Sequence, residues 1–388
     1  MVQVFYQRGP APAHNGIWYT HRDMRQHRVL RFLIIAFAAG AFIGLVGGLA
    51  FGGSKNPGSS TPTTQARSSN SGSATSSTTP LTASSGPMTV ERARTIGANE
   101  MGEVPVLMYH LFGPQAATYT RTPQDFRSDI ALLKSEGFYP ITVRDLASGN
   151  IDIPAGKSPV VLTFDDSSMG QYNILDDGTL DPDSAVGIMR QAVKAGGWAD
   201  RATFFPLLDV DVAERILWGQ PDKAKEKLKN LIQWGYEVGS HTVTHLDLKK
   251  ASVQEAAKQL QQSQATLEDM IGGGYKLTSL SVPYGDYPAN DSLIASGQYQ
   301  GKSYAYSAAV EVAGGPSLSP FSGKFRPLHI TRITATGNAL KNAIDNFKKH
   351  PLLRYISDGD PTTVSAPKTL PAELGTVSSD LGRPVIRY

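Results

Sequence analysis

The sequence predicts an α/β fold, a parallel sheet or barrel, for residues 101–350, and two observations predict it. Apolar runs alternate along this region with amphipathic stretches, which is typical of repeated β/α units. The most apolar run, Val160 to Phe164, is continuous rather than alternating, as expected of a strand buried on both faces of a parallel sheet. Similar runs are also predicted to be strands: Val104 to Tyr109, Ala202 to Pro206, Tyr236 to Gly239 and His329 to Ile333.

Helices are predicted between the strands from the residues that begin them. Thr122 and Pro123 supply a capping hydroxyl and a favourable first helical residue. Ser252 and Glu255 form a capping-box pattern. The apolar residues after it recur at helical spacing: Val253, Ala257, Leu260, Leu267 and Ile271. In such folds the functional side chains gather at the carboxyl ends of the strands, so a site is expected there.

Residues 32–51 are predicted to be a single transmembrane helix. They are uncharged and mostly apolar, and twenty residues at about 1.5 Å each cross the roughly 30 Å of hydrocarbon in a bilayer. Four arginines between positions 22 and 31 predict that residues 1–31 are cytoplasmic and that the rest is extracytoplasmic. The alternative is a cleaved signal peptide, with Gly48 and Ala50 near the cleavage site, which would give a secreted protein.

Composition divides the remaining chain and excludes some functions. Residues 52–100 are rich in Ser, Thr, Gly and Pro and are predicted to be a disordered linker, whereas residues 351–388 form a tail without a clear period. The net charge is +3, but residues 1–31 alone contribute +4, so the sequence predicts no nucleic-acid surface. The absence of Cys excludes disulfides and thiolate metal sites. The sequence does not indicate an oligomeric state.

Acidic and imidazole side chains follow two of the predicted strands. Asp165 and Asp166 end the most apolar run, and His241 and His245 follow Gly239. Alone, adjacent Asp residues are more often turn or capping residues, and a His pair is more often a surface or core feature. Together, one carboxylate and two imidazoles suit a catalytic divalent metal, with zinc first and iron, cobalt, manganese or nickel as alternatives. Asp165 would then be free to act as a base.

These motifs make the sequence resemble the polysaccharide deacetylase family, carbohydrate esterase family 4, from about Val104 to Ile333. The resemblance implies a distorted (β/α) barrel of about seven strands. It also implies that Asp165 is the catalytic base and that Asp166, His241 and His245 are the metal ligands. The Tyr284 backbone N–H would help to form the oxyanion hole.

The sequence departs from the family pattern at two places. The third motif commonly reads Arg-x-Pro-Tyr or Arg-x-Pro-Phe, but Ser281 stands at the Arg position, which indicates a sub-branch. The last motif usually places the general acid as Leu-x-His, but His329 directly follows Leu328. Because side chains alternate across a strand, this shift could turn His329 away from the site, and His110 is the alternative acid.

Charge balance suggests a replacement for the missing Arg. Asp165 and Asp166 cannot comfortably both ionise in a confined site without cationic neighbours. Arg332 lies three residues after His329, and we expect its guanidinium to enter the site and pair with Asp165.

The predicted function is metal-dependent removal of acetyl groups from a cell-envelope or extracellular polysaccharide, N-acetyl before O-acetyl. That is a hydrolase acting on carbon–nitrogen bonds other than peptide bonds, and its partner is an acetylated polysaccharide or oligosaccharide. The rival from another class is a non-catalytic carbohydrate-binding protein that keeps the fold and the metal site. A third reading is an amidohydrolase acting on a non-sugar substrate.

Overall fold

The computed structural model describes residues 86–388. The predicted cytoplasmic segment 1–31, the transmembrane helix 32–51 and residues 52–85 of the linker lie outside the described residues. Within residues 86–388, no helix is long and apolar enough to cross a membrane.

The strands, in chain order, are β1 Val106–Tyr109, β2 Leu111–Phe112, β3 Thr120–Arg121, β4 Phe138–Ile141, β5 Ser158–Asp165, β6 Thr203–Phe205, β7 Glu237–Val238, β8 Ser279–Ser281, β9 Ser296–Tyr299, β10 Lys302–Ala305, β11 Ala308–Gly314, β12 Ile330–Thr334, β13 Val364–Ala366 and β14 Val385–Arg387. The helices are α1 Val90–Ile96, α2 Pro123–Ser135, α3 Val143–Ser148, α4 Ala185–Lys194, α5 Ala224–Trp234, α6 Val253–Ile271, α7 Ser292–Ala295 and α8 Ala339–Lys349.

Seven parallel strands form a nearly closed barrel in the order β7-β6-β5-β1-β12-β11-β8, and β4 also pairs with β5. The two ends of this order meet at Ser240, just after β7. Its N–H donates to the Ser279 carbonyl of β8, and its carbonyl accepts from the Ser281 N–H, each over 2.9 Å. This confirms the predicted barrel.

The barrel follows from the burial of its strands and the amphipathic helices around it. Every residue of β5 is buried, as its continuous apolar run predicts. Thr122 caps α2 in a capping box with Asp125, and Phe126 and Ile130 of that helix belong to the main hydrophobic core. Helix α6 begins after Ser252 as expected, but Val253 is 71% exposed, because the first helical position lies outside the packed face.

Both ends of the described chain are more structured than the sequence suggested. Helix α1 lies within residues 52–100, which were predicted to be linker, and the predicted tail 351–388 contains the paired strands β13 and β14. The two ends contact each other, since Met88 and Ala93 pack with Ile386 and Tyr388. The folded region therefore begins before residue 101 and continues past residue 350.

Candidate metal centre and active site

A pocket of about 560 Å³ opens at the carboxyl ends of the barrel strands. Asp165 is the last residue of β5, His110 follows β1, and the segment with His241 and His245 follows β7. Parallel strands direct their carboxyl ends to one side of a barrel, which explains why residues far apart in sequence meet here. The pocket lining includes His110, Asp165, Asp166, His241, His245 and Tyr284.

Asp166, His241 and His245 form a candidate metal site. One possible ligand atom from each lies within 4.8 Å of the others. Asp166 Oδ1 is 3.4 Å from His241 Nε2 and 3.6 Å from His245 Nε2. That oxygen is buried and has no hydrogen-bond partner among the described residues. Because a buried carboxylate oxygen without a partner is costly, its position between two imidazoles fits a bound cation.

The two histidines have neutral rings that can bind a metal. His241 Nδ1–H donates to the Ser281 carbonyl over 2.8 Å, which leaves the lone pair on Nε2, facing Asp166. Burial lowers the pKa of His241 and lowers that of His245 to about 3. Both rings are therefore neutral at neutral pH, the form that binds metals.

Several residues at the site have backbone conformations that L-residues rarely adopt. Asp166, Thr242, His245 and Tyr284 have φ angles of 70°, 62°, 57° and 61°. Such conformations cost of order 1–3 kcal/mol each and persist where the surrounding structure holds them, often at functional sites. Their clustering around one pocket supports its functional importance.

The predicted contact between Arg332 and Asp165 is present. Arg332 Nη1–H donates to Asp165 Oδ1 over 2.9 Å, and Nη2–H donates to Oδ2 over 2.8 Å. Each residue is only 1% exposed. Burial acts to raise the pKa of Asp165, but the charge and the hydrogen bonds of Arg332 outweigh it, so the pKa lies well below its usual range.

Ser281 occupies the position of the common third-motif arginine and contributes to the same ion pair. Its hydroxyl donates to Asp165 Oδ2 over 2.8 Å and accepts from Arg332 Nη2 over 3.1 Å. The remaining guanidinium donors reach the Thr163 hydroxyl and the Glu311 carbonyl. A serine is small enough to leave room for the guanidinium that β12 supplies.

His329 is not placed to act as the general acid. Its Nδ1 lies 2.7 Å from Glu311 Oε1 and its Nε2 lies 2.7 Å from Asp291 Oδ2, so both ring nitrogens already contact carboxylates. Its ring stacks on Tyr287, with 4.4 Å between centroids. The alternation of side chains along β12 explains why Arg332 reaches Asp165 and His329 does not. Ile330 and Arg332 are buried on one face, and His329 falls on the other.

His110 lies in the pocket instead. Its ring packs against Tyr119, and its Nδ1 is buried without a partner among residues 86–388. Burial lowers the pKa of His110 to about 4, partly offset by the nearby Asp165 carboxylate. The structure therefore brings His110, not His329, together with Asp165.

Tyr284 lies at the pocket mouth, as the sequence analysis expected of an active-site residue. It is 57% exposed, and its ring contacts the His245 ring with 4.4 Å between centroids. Tyr119 and Val212 are exposed pocket-lining residues as well, so the mouth presents apolar and aromatic surface.

Arg215 is a site residue that sequence reasoning missed. Its Nη2–H donates to Asp166 Oδ2, although 49 residues separate the two in the chain. It follows no apolar run and belongs to no motif, so only the loop conformation after β6 reveals it.

Fold and site together define an α/β barrel with a candidate Asp-His-His metal site beside a buried Asp-Arg pair. Residues 152–297 match the family model described as polysaccharide deacetylase. This part of the chain, from residue 152 to residue 297, is therefore similar to polysaccharide deacetylase domains. The matched range contains Asp165, Asp166, His241 and His245 but neither His110 nor Arg332, so the placement of those two rests on the structure.

Relatives with known sequences or structures are distant. A Bacillus subtilis (strain 168) protein named "Putative polysaccharide deacetylase YxkH" is 22% identical over 260 residues, covering 65% of this chain and 80% of that protein. The Streptococcus pyogenes deacetylase PplD, solved in complex with acetate, is 24% identical over 63% of this chain and 97% of its own, with a TM-score of 0.45. IcaB from Ammonifex degensii is 18% identical over 63% and 96%, with a TM-score of 0.46.

Proposed function

We propose that the protein is a metal-dependent hydrolase that removes N-acetyl groups from a polysaccharide of the cell envelope. The observation that carries the proposal is the joint placement of an Asp-His-His ligand set and the Asp165–Arg332 pair in one pocket. The polysaccharide deacetylase match supports removal of acetyl groups from a polysaccharide. The metal requirement and the choice of an amide over an ester are part of the proposal.

Asp166, His241 and His245 would hold the metal, since their ligand atoms converge and Asp166 Oδ1 has no other partner within the described part of the chain. When bound, a divalent cation supplies Lewis-acid chemistry that activates water and polarises a carbonyl. Zinc fits a site of two imidazoles and one carboxylate best.

Asp165 acts as the general base. The paired guanidinium of Arg332 keeps its carboxylate ionised, and the bidentate contact fixes its orientation toward the pocket. His110 lines the same pocket, and its buried Nδ1 has no partner among the described residues, so His110 would receive the proton that Asp165 takes from the attacking water.

His110 then delivers the proton to the leaving nitrogen. An amine is a poor leaving group unless it is protonated, so an amide substrate needs this step. The Tyr284 N–H would stabilise the negative charge that develops on the acetyl oxygen. His110 thus takes the acid role that the sequence pattern first suggested for His329.

The test is release of acetate by the purified full chain from acetylated peptidoglycan, chitin oligomers, poly-N-acetylglucosamine and acetylated xylan, with and without a chelator. Release from an N-acetylated polymer that a chelator abolishes is expected. Release from acetylated xylan alone would contradict the amide assignment. Binding to these polymers without acetate release would favour the non-catalytic carbohydrate-binding alternative.

We also propose that residues 32–51 anchor the protein in the cell membrane with the barrel outside. The apolar stretch and the arginines before it support this arrangement. Protease added to intact cells should remove a tag fused after Tyr388, because the tag would lie outside the cell. A tag that resists the protease would mean that the barrel is inside. Recovery of the tagged protein from the medium would instead indicate a cleaved signal peptide.

A further inference from the structure

Each of the two adjacent carboxylates at the site has its own arginine. Arg332 pairs with Asp165, and Arg215 pairs with Asp166 through Nη2 and Oδ2. The first pair keeps Asp165, the base of the proposed reaction, ionised. The second pair involves a candidate metal ligand, which raises the question of what a cation does beside a carboxylate that should bind another cation.

The two arginines are held very differently. Arg332 lies within a barrel strand, and its donors reach Thr163, Asp165, Ser281 and the Glu311 carbonyl. Arg215 lies in a loop, its side chain is 32% exposed, and its Nε is without a partner in the described chain. Arg332 is a fixed part of the barrel interior, whereas the Arg215 side chain has fewer partners and is partly exposed to solvent.

Hydrogen bonds nevertheless hold the loop in a position where Arg215 contacts Asp166. The hydroxyl of Ser167 donates to the Arg215 carbonyl over 2.6 Å and accepts from the Leu207 N–H over 3.0 Å. The Trp218 N–H donates to the Ser167 carbonyl over 3.1 Å. The loop that carries Arg215 is therefore hydrogen-bonded to Ser167, the residue that follows Asp166.

Both of these hydrogen-bonded segments contain residues with unfavourable backbone conformations. Asp166 and Ser167 have φ angles of 70° and 43°, and Leu217 and Trp218 have 46° and 65°. The buried ammonium of Lys227 supports the loop from below by donating to the Trp218 carbonyl over 3.3 Å. Strain maintained on two touching segments is expected where their relative position matters for function.

The two oxygens of Asp166 serve different partners. Oδ2 accepts from Arg215, while Oδ1 faces the Nε2 atoms of His241 and His245. A divalent cation bound through Oδ1 would share one carboxylate with the guanidinium. Two like charges this close repel each other strongly at the effective dielectric of a partly buried site.

We propose that Arg215 is a positioning residue that competes with the metal for the Asp166 carboxylate. It is the counter-ion that holds Asp166 in place when no metal is bound, and it lowers the affinity of the site for metal. Metal binding moves the guanidinium away from Asp166 or forces it to share the carboxylate. This inference rests on the metal site of the proposed function but not on the reaction.

The test compares the full chain with its R215A, R215K and R127A variants after removal of metal with a chelator. Zn²⁺ affinity is measured by competition with a chromogenic chelator, and the melting temperature is measured with and without Zn²⁺. R215A is expected to bind Zn²⁺ at least about tenfold more tightly, because a nearby positive charge is gone. Without metal it should melt at a lower temperature than the parent, because Asp166 loses its counter-ion.

The other variants separate this role from a general loss of structure. R215K keeps the charge and should stay near the parent in Zn²⁺ affinity. R127A removes an arginine that pairs with Asp183 on the surface, 2.5 Å away, and should leave both measurements unchanged. Unchanged or weaker Zn²⁺ binding in R215A would overturn the proposal, as would an R215K protein that matches R215A.

These results are independent of the proposed reaction. If the parent binds Zn²⁺ through His241 but releases no acetate, the proposed function fails and the role of Arg215 stands. If the parent releases acetate and R215A binds Zn²⁺ like the parent, the role of Arg215 fails alone.

Discussion

Arg332 of β12 and Asp165 of β5 form a bidentate ion pair inside the barrel, with N–O distances of 2.9 and 2.8 Å. The strand β1 lies between β5 and β12, so the guanidinium reaches across the barrel interior. The barrel thus restores the arginine partner that Ser281 cannot provide.

Replacing Arg332 with Ala should destabilise the protein and change its pH dependence. Loss of one partner from a buried ion pair costs about 3–5 kcal/mol, because the other charge stays buried. Without the guanidinium, burial dominates and the pKa of Asp165 rises. The acid limb of the kcat/KM profile should therefore move to higher pH, which steady-state assays across pH would detect.

A second arginine position provides the control for this prediction. The R332A/S281R variant places a guanidinium on β8, where the third motif commonly has one, and should recover part of the lost activity. An R332A protein with the parent's stability and pH profile would show that the ion pair does not tune Asp165.

His110 and His329 make a matched pair for testing the general acid. H110A should lower kcat on an N-acetylated sugar by roughly 10²- to 10⁴-fold, the usual contribution of proton transfer by a positioned side chain. The loss should be much smaller on an aryl acetate, since its leaving group needs no protonation. H329A should lower the melting temperature, because Glu311 and Asp291 each lose a contact, and should leave kcat unchanged. A selective loss of amide hydrolysis in H329A would reverse the assignment.

The proposed metal ligands can be tested by measuring how much metal the purified variants contain. His241 has the more buried ring of the two histidines, and its Nδ1–H is held by the Ser281 carbonyl. H241A should therefore purify with little or no Zn²⁺ under conditions where the parent holds one equivalent. H350A, with an exposed histidine outside the pocket lining, serves as the control. Full metal content in H241A would contradict the ligand set.

Glu100 should make stability fall as pH rises. Burial, and then the neighbouring Asp358 carboxylate, raise the pKa of Glu100 from 4.5 to about 8. Between these values the unfolded chain releases the proton and the folded chain keeps it, so the folded state is progressively disfavoured. Melting temperatures from about pH 5 to about pH 9 should decline more steeply for the parent than for E100Q.

Glu91 provides the comparison, because its side chain is exposed on the neighbouring helix α1. The E91Q variant should follow the parent at every pH. Parallel curves for the parent and E100Q would mean that Glu100 does not hold its proton in the folded state.

The parts of the site that could be predicted from the sequence are those set by local pattern. Asp165 and Asp166 end a run whose apolar continuity identifies a buried strand, and the spacing of His241 and His245 adds imidazoles at another strand end. Charge balance was enough to identify Arg332 as the partner of Asp165.

Features set by long-range contacts could not be predicted. The pairing of Arg215 with Asp166 depends on the path of a loop, and the Ser365 N–H reaches Glu100 across 265 residues. The choice between His329 and His110 also stayed open in the sequence, because the family motif fixes a spacing whereas the alternation of side chains along β12 decides which face His329 occupies. Short elements such as α1, β13 and β14 carry too few apolar positions to show a period.

The most direct test of the proposed mechanism is acetate release by the D165N variant at a metal content equal to that of the parent. D165N is expected to bind one equivalent of Zn²⁺ and to release acetate roughly 10²- to 10⁴-fold more slowly, because the base is lost and the ligands remain. Parent-like acetate release by the metal-loaded D165N protein would contradict the role of Asp165 as the base.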